Sequence, residues 1–199
     1  MIKTLVAMAA IVLSLAGASL ADTVTGTSGS ERLSGTSRPD QLYGEDGDDS
    51  LFGGQGGDYL EAGPGQDLVR GGSGADLAIG GTGDDRIEGG SGADVVYAGS
   101  GADEVLAGDG ADVVYGQVGD DRLFGGDGDD KLHSGVGDDF VDGGHGRDQI
   151  NAGAGDDEID ARDGERDTVD CGPGRDSVLA DSGDRLRGCE LRSARRRSP

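Results

Sequence analysis

Apolar side chains recur at every ninth residue along most of this chain. From Gly26 to Asp160 the sequence divides into fifteen consecutive nonapeptides without an insertion or deletion, and position eight of each is apolar. The apolar residues are Leu33, Leu42, Leu51, Leu60, Val69, Ala78, Ile87, Val96, Val105, Val114, Leu123, Leu132, Val141, Ile150 and Ile159. A single apolar residue between two outward neighbours is the minimal pattern of a strand with one inward side chain. We therefore predict a three-residue strand at positions seven to nine of every nonapeptide.

Glycine and acidic residues keep the same nine-residue phase. The consensus is G-G-x-G-x-D-x-U-x, where U is apolar, as in Gly71 to Ile79. Glycine at positions one, two and four allows φ values that other residues avoid and lets carbonyl groups approach a ligand closely. One apolar residue in nine cannot form a core alone. Two strands per turn, stacked turn on turn with their apolar residues facing inward, can form a thin one.

Composition limits the classes of partner. Of the 199 residues 33% are hydrophobic and 42 are glycine, and the formal net charge is -23. These values alone are typical of a disordered chain, but a disordered acidic tail needs no nine-residue register. The acidic balance argues against nucleic acid and anionic membrane surfaces as partners and favours cations.

Position six is acidic in all fifteen nonapeptides. Because stacked strands lie about 4.8 Å apart, carboxylates in successive loops about 5 Å apart would repel by roughly 3 kcal/mol at an effective dielectric constant of about 20. The 17 Lys and Arg residues cannot neutralise 40 Asp and Glu residues. A flexible site of carboxylate and carbonyl oxygens favours Ca²⁺ over Mg²⁺ or Zn²⁺. We expect several Ca²⁺ ions bound by Asp58, Asp67, Asp76, Asp85, Asp94, Asp103, Asp112, Asp121, Asp130, Asp139, Asp148 and Asp157.

The consensus resembles that of the RTX, or haemolysin-type, calcium-binding repeat family. The resemblance covers residues 26 to 160. It implies an all-β fold, a right-handed parallel β-roll (solenoid) with two nonapeptides per turn, and Ca²⁺ ions held between the loops of units n and n+2. That pairing places Asp76, Asp94, Asp112 and Asp130 on one edge of the roll, and Asp85, Asp103, Asp121, Asp139 and Asp157 on the other.

The N-terminal part of the chain departs from the regular repeat. Residues 1–21 have the positive start, apolar run and small-residue end of a signal peptide cleaved before Asp22, with an uncleaved membrane anchor as the alternative. Once the signal peptide is removed, we expect no membrane span. Residues 22–52 are degenerate repeats, because Arg38 and Pro39 interrupt the second loop, and are expected to act as a cap. The regular roll is predicted over residues 53–160.

A one-residue shift of phase follows Asp160. Residues 161–191 contain both cysteines, Cys171 and Cys189, and an oxidising compartment favours a disulfide over two unpaired thiols. This segment resembles the closing segment of small secreted bacterial proteins of the same type. We expect it to form a disulfide-linked C-terminal cap, followed by a basic tail at residues 192–199.

Motifs of catalysis do not occur in the sequence. There is no H-E-x-x-H, G-x-S-x-G, P-loop or EF-hand spacing, and the repeats begin four residues after the expected cleavage point. We therefore expect no enzyme activity. Paired acids such as Asp84 and Asp85 recur at positions five and six, which favours loop ligands over general acid and base.

Two classes of function stay open at this point. The first is a secreted, extracellular Ca²⁺-binding protein with a structural, adhesion or interaction role. The second is an accessory or secretion module for an enzyme or toxin on another chain. If units alternate between two sheets, Ile79, Tyr97, Tyr115 and His133 form a row on one outer face. This row is a candidate contact for a cell-surface or matrix component, unless its residues simply suit outward strand positions.

Overall fold

The computed structural model describes residues 22–191, which form two ten-stranded parallel sheets. Successive strands alternate between the sheets, so each turn of the chain contributes one strand to each and contains two nonapeptides. The predicted all-β solenoid is confirmed. The predicted signal peptide at residues 1–21 and the basic tail at 192–199 lie outside the described residues. Within residues 22–191 there is no helix, and hence none that could cross a membrane.

The first sheet contains the odd-numbered strands. They are β1 (Thr23–Thr25), β3 (Gln41–Tyr43), β5 (Tyr59–Pro64), β7 (Leu77–Thr82), β9 (Val95–Ser100), β11 (Val113–Val118), β13 (Lys131–Val136), β15 (Gln149–Ala154), β17 (Thr168–Asp170) and β19 (Arg185–Arg187). The second sheet contains β2 (Arg32–Ser34), β4 (Ser50–Gln55), β6 (Leu68–Ser73), β8 (Arg86–Ser91), β10 (Glu104–Asp109), β12 (Arg122–Asp127), β14 (Phe140–His145), β16 (Glu158–Ala161), β18 (Ser177–Ala180) and β20 (Glu190–Leu191).

Strands β4 to β15 are twice as long as the sequence pattern predicted. Each has six residues and runs from position seven of one nonapeptide to position three of the next. In β9 both Val96, at position eight, and Ala98, at position one, are fully buried. Position one therefore supplies a second inward side chain, which the sequence analysis missed because glycine so often occupies it.

Lack of space explains why the residue at position one is small. Its glycines do not adopt a positive φ, contrary to our expectation. A Cβ added to Gly71 would instead collide with the Asp76 carboxylate and with the carbonyl oxygen of Gly89, one turn further along. Where position one is not glycine in the regular repeats it is alanine or serine, and these residues are fully buried.

Positions two and four do need the backbone conformational freedom of glycine. Gly90 has a φ of 116° and Gly92 a φ of 134°, in a region that side chains other than glycine rarely adopt. A Cβ on Gly92 would also overlap the carbonyl oxygen of Gly74 in the preceding turn. Four described residues replace glycine at position two: Glu45 and Gln117 have smaller positive φ values of 73° and 81°, whereas Thr27 and Thr36 in the first two units have no positive φ.

The core is a double row of position-eight side chains between the two sheets. All fifteen are buried, the most exposed being Leu33 at 8%. Because each turn adds only one such residue per sheet, with a small residue at position one beside it, the core is thin, and the fold depends on the loops at its edges as well as on its core.

The C-terminal segment continues the stack after the phase shift. Val169 and Val178 remain fully buried in β17 and β18, and Cys171 is buried at position one of its unit. Cys171 and Cys189 form the predicted disulfide, with their Cα atoms 5.2 Å apart. This bond joins the last turn of the roll to the turn before it.

The outer faces of the two sheets differ. On the second sheet, Arg122 lies over the rings of Phe124 and Phe140. On the first sheet, Tyr97, Tyr115 and His133 form the predicted row in register. The Tyr115 ring stacks between those of Tyr97 and His133, with centroid-to-centroid distances of 4.9 Å and 5.0 Å. Both faces of the Tyr115 ring are therefore covered.

Candidate metal centre

The loops between strands form two edges, which we name by the sheet that they enter. The first edge leads into the first sheet and contains Asp40, Asp58, Asp76, Asp94, Asp112, Asp130, Asp148, Asp167 and Asp184. The second edge leads into the second sheet and contains Glu31, Asp49, Asp67, Asp85, Asp103, Asp121, Asp139, Asp157 and Asp176. All twelve predicted ligands lie in these two rows, and none is more than 3% exposed.

One carboxylate oxygen of each aspartate belongs to a hydrogen-bonded ladder. The N–H of Asp67 donates to Oδ1 of Asp85 at 2.9 Å, and the N–H of Asp85 donates to Oδ1 of Asp103 at 2.8 Å. The first edge repeats the arrangement, as where Asp76 N–H donates to Asp94 Oδ1 at 2.8 Å. Each step joins unit n to unit n+2, which is the pairing that the resemblance implied.

The other carboxylate oxygen has no partner. Oδ2 is buried without a hydrogen bond in all twelve predicted residues, and also in Asp49, Asp167 and Asp176. A buried polar atom without a partner costs about 1 to 3 kcal/mol, and more when it is charged. Fifteen such atoms in two parallel rows are the most unusual feature of the described structure.

Burial disfavours the ionised form of these carboxyl groups. Loss of solvent raises the pKa of Asp85 to about 7, and the hydrogen bond from the Asp67 N–H offsets this only in part. The nearby charges of Asp103 and Asp67 raise it further. Burial likewise raises the pKa of Asp121 and Asp130 to about 7. The folded chain by itself therefore holds its position-six carboxyl groups in a state that is unfavourable at neutral pH.

Side chains alone do not make a metal site. No group of three or more His, Cys, Asp or Glu residues within residues 22–191 is arranged to hold a metal ion. The same loops also contain backbone oxygens that lack a hydrogen-bond donor. In the repeats from Gly53 to Asp157, the carbonyls of positions four and five, such as those of Gly74 and Ala75, accept no backbone hydrogen bond.

These groups together fit a hard cation. The available donors are carboxylate and carbonyl oxygens, without nitrogen or sulfur, which is the donor set that Ca²⁺ takes in flexible sites. The position-six aspartates of units n and n+2 and the loop carbonyls of positions four and five would hold the ion.

Position five has a different task from the one we expected. Asp84 and Asp120 are exposed, and each accepts the N–H of the position-five residue one turn later, Ala102 at 2.8 Å and Asp138 at 2.9 Å. Asp129 is exposed as well and pairs with Arg147 at 3.0 Å. The paired acids are thus divided, with position six facing inward and position five joining adjacent turns at the surface.

Sequence reasoning left three comparable aspartates out of the predicted set. Asp49 lies in the segment expected to act as an N-terminal cap, and Asp167 and Asp176 lie in the segment expected to act as a C-terminal cap. Each has the buried, unpaired Oδ2 of the regular repeats. Asp167 and Asp176 precede Val169 and Val178 at the repeat spacing, and this signal could have identified them.

The described geometry agrees with a family model that matches the chain. The profile of the RTX calcium-binding nonapeptide repeat (4 copies) matches residues 25–60, 52–86, 70–105, 97–132, 106–141 and 133–166. These overlapping matches together cover more than half of the chain. No curated protein matches it.

Proposed function

Because this chain belongs to the RTX calcium-binding nonapeptide repeat family, we propose that it is a secreted protein in which Ca²⁺ drives the folding of the β-roll. Membership of the family implies Ca²⁺ binding. The proposal extends this to a mechanism, to a location outside the cell and to a structural or interaction role without catalysis.

The unpaired Oδ2 atoms are the main observation that supports the proposal. Each edge stacks buried carboxylates one turn apart, and within the described part of the chain no cationic side chain is buried to neutralise them. A bound Ca²⁺ ion would supply the missing positive charge, and the loop oxygens would coordinate it. The aspartates orient through the Oδ1 ladder, and the glycines at positions two and four allow adjacent loops to approach. Ion binding is then coupled to folding, since the paired loops exist only in the stacked chain.

One observation and one general argument support a location outside the cell. The Cys171–Cys189 disulfide is compatible with export to an oxidising compartment. Extracellular calcium modules bind Ca²⁺ with dissociation constants on the order of 10⁻⁴ to 10⁻³ M, so a folding transition in this range would keep the chain unfolded inside a cell and fold it outside.

Circular dichroism tests the mechanism. Protein treated with chelator at pH 7.5 should lack β signal and gain it cooperatively as Ca²⁺ rises through the sub-millimolar to millimolar range. Mg²⁺ at equal concentration is the control, and it should be much less effective because it loses its water ligands reluctantly. Chelated protein that is already folded at this pH, and whose melting does not respond to Ca²⁺, would contradict the proposal.

The outer face of the first sheet supports the interaction role. Leu77, Val95 and Val113 occupy position seven beside the row of Ile79, Tyr97 and Tyr115 at position nine. This array carries no charge, although the net charge of the chain is -23. Because the tyrosine rings cover one another's faces, a partner would meet their edges and hydroxyl groups.

A double variant tests this interaction surface. Tyr97→Ser with Tyr115→Ser should weaken binding to the surface of the producing cells, measured by co-sedimentation in Ca²⁺. Leu106→Ser with Phe124→Ser on the second sheet is the matched control and should bind as the wild type does. Equal binding by both variants, with Ca²⁺-dependent folding retained, would make the tyrosines strand formers only.

A further inference from the structure

The two rows of unpaired carboxylates extend beyond the residues that match the repeat family. That match ends at residue 166, yet Asp167 and Asp176 are each 1% exposed and have an Oδ2 without a partner. We propose that the disulfide cap contains two further Ca²⁺ sites, one between the loops of Asp148 and Asp167 and one between those of Asp157 and Asp176. The inference rests on the proposed function, which it extends to residues outside the matched repeats.

The ladder crosses the phase shift intact. Asp148 N–H donates to Asp167 Oδ1 at 2.9 Å, and Asp157 N–H donates to Asp176 Oδ1 at 3.1 Å. The partners are 19 residues apart instead of 18. The extra residue lies in the connection between β16 and β17, while β17 and β18 keep the register of the preceding turns.

The loop before Asp176 is a repeat loop in all but its first residue. Gly155 N–H donates to Pro173 O at 3.1 Å, and Arg175 N–H donates to Asp156 Oδ1 at 3.0 Å. In the regular repeats position four makes the same bond, and position five makes it where an aspartate stands one turn earlier, as with Ala102 and Asp84. The carbonyls of Gly174 and Arg175 accept no backbone hydrogen bond, so the loop oxygens that would hold a cation in the regular repeats are also present here.

Both edges end at the C-terminal side with a group that needs no cation. On the first edge, Asp184 accepts Asp167 N–H on Oδ1 at 3.1 Å and Asp181 N–H on Oδ2 at 2.6 Å. On the second edge, Glu190 N–H donates to Asp176 O, which places Cys189 where the next aspartate would follow. Its disulfide to Cys171 takes the place of the next step of the ladder.

The N-terminal ends are closed in the same way. Asp40 accepts the Thr36 N–H at 2.5 Å and the Thr36 hydroxyl at 2.9 Å on the oxygen that is unpaired elsewhere. Both carboxylate oxygens of Glu31 accept hydrogen bonds from Thr27. Local donors mark both ends of the first row and the N-terminal end of the second, and the disulfide marks the C-terminal end of the second row. Asp167 and Asp176 lie inside those limits.

Counting bound Ca²⁺ by native mass spectrometry tests the inference on the full chain. Asp167→Asn and Asp176→Asn should each lose about one ion, because each terminal carboxylate serves one gap between loops. Asp103→Asn is the positive control and should lose up to about two ions, since it serves two gaps. Asp40→Asn is the negative control and should keep the wild-type count. Asparagine retains an acceptor for the ladder, and circular dichroism checks that each variant folds in Ca²⁺.

The outcomes separate the two proposals. If Asp103→Asn loses ions while Asp167→Asn and Asp176→Asn keep the wild-type count, the cap has no sites and only this inference fails. If the wild-type protein binds no Ca²⁺, the proposed function fails.

A second measurement needs no variant. Hydrogen exchange of wild-type residues 161–180 should slow at the same Ca²⁺ concentration as that of the repeats. Exchange in this segment that is already slow in chelator would overturn the inference.

Discussion

The raised pKa values of the position-six aspartates predict that the metal-free protein folds in acid and unfolds toward neutral pH. Burial raises the pKa of Asp85, Asp121, Asp130 and Asp148 to about 7, whereas an unfolded aspartate titrates near 3.9. The folded chain thus binds more protons than the unfolded chain between about pH 4 and pH 7. Without metal, the free energy of unfolding must fall as pH rises through this window.

The magnitude is large enough to decide whether the chain folds. Keeping one carboxyl group ionised when folding raises its pKa from 3.8 to about 7 costs roughly 4 kcal/mol. A typical domain is stable by only about 5 to 15 kcal/mol. A few such groups, even if their effects are not additive, are sufficient to offset the stability of the metal-free roll at neutral pH.

Urea unfolding in the presence of chelator, followed by circular dichroism from pH 4.5 to pH 8, measures this dependence. We expect β structure that resists urea at pH 4.5 to 5 and is lost by pH 7.5, and we expect saturating Ca²⁺ to restore it at pH 7.5. The apparent Ca²⁺ affinity should fall as pH drops, because protons and cations compete for the same carboxylates. Metal-free protein that is more stable at pH 7.5 than at pH 5 would refute the reasoning.

Three further predictions concern the scaffold, each measured by urea unfolding in saturating Ca²⁺. Gly92→Ala should destabilise the roll by about 1 to 3 kcal/mol, because the backbone at this residue has a φ of 134°. Gln117→Gly should stabilise it by up to about 1 kcal/mol, because the glutamine has a positive φ of 81°. Equal effects of the two substitutions would contradict the assigned loop geometry. Val114→Ala in the core should cost about 1 to 3 kcal/mol, and Val118→Ala, whose side chain is 55% exposed, should cost less than about 0.5 kcal/mol. Reducing the Cys171–Cys189 disulfide should cost about 2 to 5 kcal/mol, and an unchanged unfolding curve would show that the cap does not depend on it.

Much of the fold could be predicted because the repeat leaves few alternatives. A single apolar residue per nonapeptide, as at Leu123 and Leu132, indicates short stacked strands that face one another across a thin core. The resemblance to the calcium-binding repeat family implied two units per turn, and the alternation of strands between two sheets agrees with it. The register of Tyr97, Tyr115 and His133 follows from the same phase, and the structure confirms it. The predicted disulfide is also confirmed.

Other features depend on contacts that a linear pattern does not contain. The length of the strands was underestimated because the inward direction of position one appears only in the folded chain, where Ala98 is fully buried. The difference between Asp84 and Asp85 was missed because adjacent acids look equivalent until the turn exposes one and buries the other.

The sequence by itself determined much of the architecture of this protein: the nine-residue phase of glycine, aspartate and one apolar residue specifies strand and loop, and its resemblance to calcium-binding repeats implied how the turns stack. It also determined the chemistry of the candidate site, because an acidic residue in every loop leaves oxygen as the only recurrent ligand. Only the tertiary structure decided where the rows of carboxylates begin and end. Oδ2 of Asp40 accepts a hydrogen bond from Thr36, whereas Oδ2 of Asp176 has no donor within reach. The packing of adjacent turns determines where such local donors lie.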